Sequence, residues 1–308
     1  MFTVNTIVHP TDFSPSAKGA FAHAVRMARR HDAQLHLLNV APSLGEDPVR
    51  SAFSVGAGEE SMFKEMEDRA RDLMEALVEE GRATDLDIEL AHDRGIAPGP
   101  VIIDYAEDHE ADLIVMGTHG RRGVKRFVLG SVTEEVVRQA SCSVMTVRSE
   151  ADVVPPPPVI DHMLVPVDLS EYTVPLFHAA LNVASTYSAQ VDLLHVVEPL
   201  PMPAPLVGAV TIHDLVPDPT DRAKEQLVRL AETASDDAVT VASHVEEGHA
   251  AAVIVEQAQA LESDMIMIAS HGLSGLESFL LGSVTARVVR RAPCPVLVAR
   301  VTPESTND

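Results

Sequence analysis

The chain has 308 residues, more than one compact unit usually holds, and two domains of about 150 residues each are the expected division. Its 46 acidic against 23 basic side chains give a formal net charge of −23, which argues against a general nucleic-acid or anionic-membrane surface, since either polyanion is repelled. Hydrophobic residues make up 46 % of the chain but aromatics only 4 %, with no Trp, so the cores are built from Val, Leu, Ile, Ala and Met, a palette suited to helices packed on an aliphatic sheet.

In chain order, the N-terminal MFTVNTIVHPTDF has no charged leader followed by a long apolar run, and no stretch of about 18 apolar residues follows anywhere. A cytoplasmic protein is the expectation. NTIVHP, AQLHLLNV, LDIELAH, ADLIVMG and CSVMTV are short apolar or alternating runs that predict five strands in the first half. Between the first two, Ser14 followed by Pro15 is a helix-start signal, and Ala17, Ala20, Phe21, Ala24, Val25 and Ala28 then fall on one helical face. Met62, Met66, Leu73 and Leu77 predict a second helix, with Gly81 as its stop. Strands alternating with helices imply parallel pairing through right-handed crossovers, hence an α/β doubly wound sheet with helices on both faces. Ligands bind such sheets outside the strand C-termini, at the topological switch point.

The second half repeats the first. Residues 113–148 align with 265–300 at a shift of 152, with about 17 identities in 36 positions, and HPTDFS at 9–14 answers VPVDLS at 165–170, so that Asp12 pairs with Asp168. Copies this long are domain duplication and not a solenoid array. Four consecutive prolines, Pro155 to Pro158, lie between them and favour an extended spacer, giving domains at 1–150 and 161–308 joined by a linker at 151–160. Pro-rich EPLPMPAPLVGAV at 198–210 and APSLGEDPVRSAFSVGAG in the earlier copy read as a mobile loop after the second strand of each.

The fourth strand of the first copy runs into Gly117-Thr118-His119-Gly120, then nine residues, then Gly130-Ser131 opening an amphipathic helix. Glycines let the backbone approach an anion closely, and the free N–H groups and positive dipole end of that helix suit phosphate, with the Ser131 hydroxyl as a further donor. Neither a Walker A motif nor a Gly-x-Gly-x-x-Gly fingerprint follows the first strand, so P-loop ATPase and dinucleotide dehydrogenase readings lose support. Strand, Gly-x-x-Gly, nine residues, then Gly-Ser resembles the nucleotide-binding signature of the universal stress protein family; Pro10-Thr11-Asp12, RGIAPGPVI and GSVTEEVV stand in family order around it, and the resemblance covers nearly the whole chain twice. It implies the family's five-stranded adenine-nucleotide-binding sheet and ATP as ligand, with or without Mg²⁺. It further implies that Asp12 and the Val40 backbone meet adenine, while Gly117, Gly120, Gly130, Ser131 and Val132 line ribose and phosphates. Pro10, Thr11, Thr118, His119, Arg121 and Thr133 complete the candidate set, with Asp168, Val196, Gly272, Gly282, Ser283 and Val284 answering in the second copy.

The copies differ in charge. Arg121, Arg122, Lys125 and Arg126 stand where a polyphosphate would lie in the first; the second has LSGLESFLL there, with Glu277 for Lys125, and Ala269 for Gly117. The first copy is therefore expected to bind ATP more tightly. His119 and His271 have no partner that would make them catalytic, and Cys142 and Cys294, each before an apolar last strand, read as inert thiols in a reduced compartment. With only four lysines on so acidic a chain, a protein kept soluble in high salt is the further expectation. A nucleotide-binding stress or regulatory module, a slow Mg²⁺-dependent ATP hydrolase and a dimerisation scaffold without nucleotide all fit these residues, the first best because no base or metal cluster is evident. In the family the last strands pair antiparallel between units. An internal pseudo-dimer with residues 144–147 opposite 296–299, open to further pairing as a homodimer, is therefore expected.

Overall fold

The computed structural model describes residues 3–42, 57–118, 129–149, 153–156, 159–199, 219–234, 239–270 and 281–302. It divides into two compact units, Thr3–Pro158 and Val159–Asp308.

In the first unit the order is β1 (Thr6–Pro10), α1 (Pro15–His31), β2 (Gln34–Pro42), α2 (Ala57–Glu80), β3 (Ile88–Gly95), α3 (Pro98–Asp108), β4 (Leu113–Gly117), α4 (Ser131–Gln139) and β5 (Ser143–Val147). The strands lie in the order β3-β2-β1-β4-β5 and every pairing is parallel. Two crossovers step one way from β1 and the next two step back past it, so right-handed connections put α1 and α2 on one face and α3 and α4 on the other. The order reverses between β1 and β4, and a crevice opens there at their C-terminal ends.

The second unit repeats this plan with β6 (His162–Val167), α5 (Thr173–Tyr187), β7 (Gln190–Val197), α6 (Pro219–Glu232), β8 (Val241–Glu247), α7 (Ala250–Ala260), β9 (Met265–Ala269), α8 (Ser283–Arg291) and β10 (Val296–Ala299), in the all-parallel order β8-β7-β6-β9-β10. Its switch point falls between β6 and β9.

Helix α1 starts as its sequence dictates. Ser14 is the N-cap, extended at φ −71°, and its Oγ accepts the Ala17 N–H at 3.3 Å; Pro15 takes the first helical position, where its missing N–H has no partner to lose. The face named by periodicity is the buried one: Ala20, Phe21, Ala24 and Ala28 are wholly enclosed against the sheet, and burying a side chain such as Phe21 contributes roughly 1.5–3 kcal/mol. Helix α2 departs from its predicted phase. Met66 and Leu73 are exposed, while Ala70, Met74 and Leu77 are buried, so the face turns about one residue from the Met66/Leu73/Leu77 stripe, and Met62 lies outside the residues whose side chains are described. Gly81 follows this helix for a packing reason, since a Cβ there would stand 2.6 Å from the Phe21 ring, and the left-handed residue after the helix is Arg82 at φ 51°.

Candidate functional site

Both central strands end the same way. Pro10 closes β1, and the next N–H, from Thr11, still reaches Leu38 O at 2.8 Å before the chain leaves the sheet. The turn that follows is tied by short side chains: Asp12 Oδ1 accepts the Ser14 N–H at 3.1 Å and Thr11 Oγ1 accepts the Phe13 N–H at 3.1 Å. Phe13 is held at φ 62°, and its counterpart Leu169 at φ 59°. A bulky residue is rarely left-handed, and the same strained turn after the same aspartate in both units points to a constraint beyond packing. Asp168 Oδ1 likewise accepts the Ser170 N–H, at 3.0 Å. From the adjacent β2, Asn39 Nδ2 donates to Thr11 O at 2.8 Å, and at the matching place on β7 His195 Nδ1 lies 2.9 Å from Val167 O.

The Gly-Ser helix is clamped to the end of the neighbouring strand in both units. In the first, Thr118 N donates to Val147 O, Gly130 N to Thr118 O and Thr133 Oγ1 to Gly117 O, all at 2.9 Å. In the second, Ser270 N reaches Ala299 O at 3.1 Å, Gly282 N reaches Ser270 O at 3.0 Å and Thr285 Oγ1 reaches Ala269 O at 2.9 Å. The N-caps are Gly130 and Gly282 themselves, and no side chain caps either helix, so the first-turn N–H groups face outward from α4 and α8. Ser131 and Ser283 are the first helical residues and are exposed.

In the second unit these elements enclose a cavity of about 530 Å³ lined by Pro166, Val167, Asp168, Val196, Ala269, Gly282, Ser283 and Val284, among others. Gly282 needs explanation there. Its φ of −57° is open to any residue, and a Cβ would find its nearest atoms at 3.5 and 3.6 Å, ordinary contact distances. Neither conformation nor packing within the chain demands glycine there. Gly117 is different: a Cβ would lie 2.6 Å from Ser16 Oγ and 2.8 Å from the Ser16 carbonyl carbon, so this glycine admits the backbone of α1.

The family model of the universal stress protein family matches residues 3–148 and again 160–300. The chain belongs to the universal stress protein family. Over 145 residues it is 33 % identical to a universal stress protein of Methanocaldococcus jannaschii, covering 46 % of this chain and 81 % of that protein. A solved universal stress protein from Archaeoglobus fulgidus matches across 97 % of both chains with a TM-score of 0.65 at 21 % identity, and a functionally unknown protein from Pseudomonas aeruginosa across 97 % of this chain and 94 % of its own with a TM-score of 0.62 at 17 % identity. These two likenesses show the fold: tandem universal stress protein domains, each doubly wound.

Of the candidate residues, Asp168, Val196, Gly282, Ser283 and Val284 come together around this cavity. Pro10, Thr11, Asp12, Val40, Gly117, Thr118, Gly130, Ser131, Val132 and Thr133 hold the matching places in the first universal stress protein domain. The Thr133 hydroxyl is engaged by Gly117 O, so it braces the site. His119, Gly120, Arg121 and Gly272, together with Arg122, Lys125, Arg126, His271 and Glu277, lie outside the described residues. Sequence reasoning missed Tyr172, Leu176 and Ile254, which wall the cavity from α5 and α7. Their signal was available only as apolar positions near helix N-termini. Burial pushes the Cys294 thiol up to about 12, with the Asp264 charge adding to it, so it stays protonated at neutral pH.

Proposed function

We propose that both domains bind an adenine nucleotide, ATP with or without Mg²⁺, at the C-terminal edge between their two central strands, and that the protein acts as a nucleotide-dependent regulatory module of the stress response. The observation that carries this reading is the cavity of about 530 Å³ lined by Asp168, Val196, Gly282, Ser283 and Val284. Its volume falls within the range of about 300–1,000 Å³ usual for small-molecule sites. The apolar walls supplied by Val167, Leu176, Leu194 and Ile268 suit a purine ring, Asp168 and the Val196 backbone offer polar edges to it, and the uncapped start of α8 faces the far side as a phosphate seat.

Of the carboxylates lining the cavity, Asp168 Oδ1 accepts the Ser170 N–H at 3.0 Å and Glu198 Oε1 accepts the Ala250 N–H at 2.9 Å, so each is braced through one oxygen. The basic run from Arg121 to Arg126 favours a tighter first site, against which stands Glu134 in the first turn of α4, where the second domain has Ala286.

The test is a titration of the purified chain with Mg-ATP, preceded by denaturing a sample and identifying what nucleotide is released. Two sites are expected. Gly130→Asp weakens the tighter and Gly282→Asp the weaker by at least tenfold, about 1.4 kcal/mol, because the new carboxylate stands where phosphate is held. Unchanged titrations in both variants would overturn the site, and sustained phosphate release would favour the hydrolase.

A further inference from the structure

Away from the nucleotide edge, the first domain gathers a second set of polar side chains at the opposite, N-terminal end of its strands. His36 is the third residue of β2 and lies directly beside Glu89, the second residue of β3, in the parallel register. His109 caps the C-terminus of α3 and completes the group. One ligand atom from each of the three lies within 4.8 Å of the others.

The orientation of both rings is set by one residue, Tyr105. His109 Nδ1 is 2.8 Å from the Tyr105 backbone carbonyl, which can only accept, so the proton sits on Nδ1 and the Nε2 lone pair is free. The Tyr105 and His109 rings stack with centroids 3.9 Å apart. His36 Nε2 is 3.1 Å from the Gln34 side-chain oxygen, which can only accept, so this nitrogen carries the proton while Nδ1, 2.9 Å from the Tyr105 hydroxyl, accepts from it. Glu89 Oε2 stands 3.8 Å from the same Nε2, too far for a hydrogen bond. Because a hydroxyl accepts as well as it donates, the ring can take the other tautomer with its proton on Nδ1 toward Tyr105, which frees Nε2 for a metal ion and leaves both imidazoles held from behind by Tyr105, the kind of outer hydrogen bond that fixes ring direction around bound transition metals.

We infer that His36, Glu89 and His109 bind a divalent transition-metal ion of the Zn²⁺ type, with Tyr105 as the positioning residue and Gln34 as a further neutral oxygen. Donors held at about 2.0–2.1 Å around a tetrahedral ion are about 3.3 Å apart, so closing this group requires shifts of about an ångström. Glu89 is exposed and His109 half-buried, and both can supply that movement, whereas His36 is buried and fixed. The nitrogen donors select against Mg²⁺ and Ca²⁺, which an acidic surface attracts without discrimination. In the second domain the residue at the place of His36 is Asp192, whose Oδ1 lies 2.9 Å from His244 Nε2 and whose Oδ2 lies 3.9 Å from His162 Nδ1, but among the described residues these three donors do not all come within 4.8 Å of one another as the first group does. A bound ion would tie β2, β3 and the end of α3 together, independently of any nucleotide.

The full chain, stripped with EDTA and dialysed, is titrated with Zn²⁺ in excess Mg²⁺ by calorimetry and then with Co²⁺ by visible absorption. One Zn²⁺ per chain is expected, with a melting temperature raised by about 5 °C or more at saturation. Glu89→Gln and His109→Asn each weaken Zn²⁺ at least tenfold, and Tyr105→Phe, which keeps the stacked ring but loses the hydroxyl, weakens it about tenfold. The first two changes sit on exposed or half-buried side chains, and circular dichroism verifies that the variants fold. Absence of a saturable Zn²⁺ site, or unchanged affinity in the Glu89→Gln/His109→Asn double variant, would overturn the assignment.

Discussion

Replacing His9 by Val, the residue the second domain carries at the matching position 165, isolates the titration of a buried imidazole in the first strand. The His9 ring is fully enclosed, its Nδ1–H donates to Val115 O at 2.7 Å, its Nε2 is buried without a partner among the described residues, and its centroid is 5.5 Å from the Phe21 ring. Burial lowers its pKa to about 4 despite the opposing pull of the Val115 carbonyl and the Asp12 carboxylate. In the unfolded chain the imidazole titrates near 6.5, so between the two values the unfolded state binds a proton that the folded state refuses. Stability is therefore full above about pH 7 and falls as the solution is acidified. The loss through this one group is about 1.4 kcal/mol at pH 5.5 and about 2 kcal/mol at pH 5, out of the 5–15 kcal/mol typical of a domain. Val removes that dependence but leaves the Val115 carbonyl unpaired, at about 1–3 kcal/mol, partly offset by its apolar burial. The variant should be less stable than the parent at pH 7.5 and close to it at pH 5.5. Urea unfolding of the full chain, followed by circular dichroism and fitted with separate transitions for the two domains, measures the difference at both pH values, and every other titrating group cancels in the comparison. A stability difference that stays constant between pH 7.5 and 5.5 would refute the reasoning.

Two further outcomes are open to direct measurement. Gly117→Ala puts a methyl group against the Ser16 backbone, 2.8–2.9 Å from its carbonyl atoms, and is expected to cost about 1–3 kcal/mol, whereas Ala269→Gly in the second domain costs about 1 kcal/mol or less; thermal melts of the two variants separate these values. With a net charge of −23, unfolding followed from dilute buffer to multimolar KCl should show stability rising with salt as self-repulsion is screened, and undiminished stability without salt would exclude the high-salt adaptation.

The sequence by itself determined the duplication, the five strands of each half, the cap and buried face of α1, and the aspartates and Gly-Ser turns that meet at the switch point. These are local or repeated patterns: a period of 2 or 3.6 residues, a capping hydroxyl, a glycine before a serine, each legible within a few positions. Tertiary structure decided the rest. The phase of α2 could not be read from its own stripe, because Met66 and Leu73 extend the apolar pattern without reaching the sheet, while Met74 is pressed against it. That Gly117 has no room for a side chain beside Ser16 of α1 is likewise decided by packing and not by its place in the motif. His36, Glu89 and His109 are scattered over 73 positions in the chain, and nothing in their spacing announces a site. They meet because parallel register sets residue 36 beside residue 89 and the crossover returns the end of α3 to the same sheet edge. Periodicity reports which way a side chain faces, whereas convergence depends on how separate elements are registered, and that is a property of the packed sheet alone.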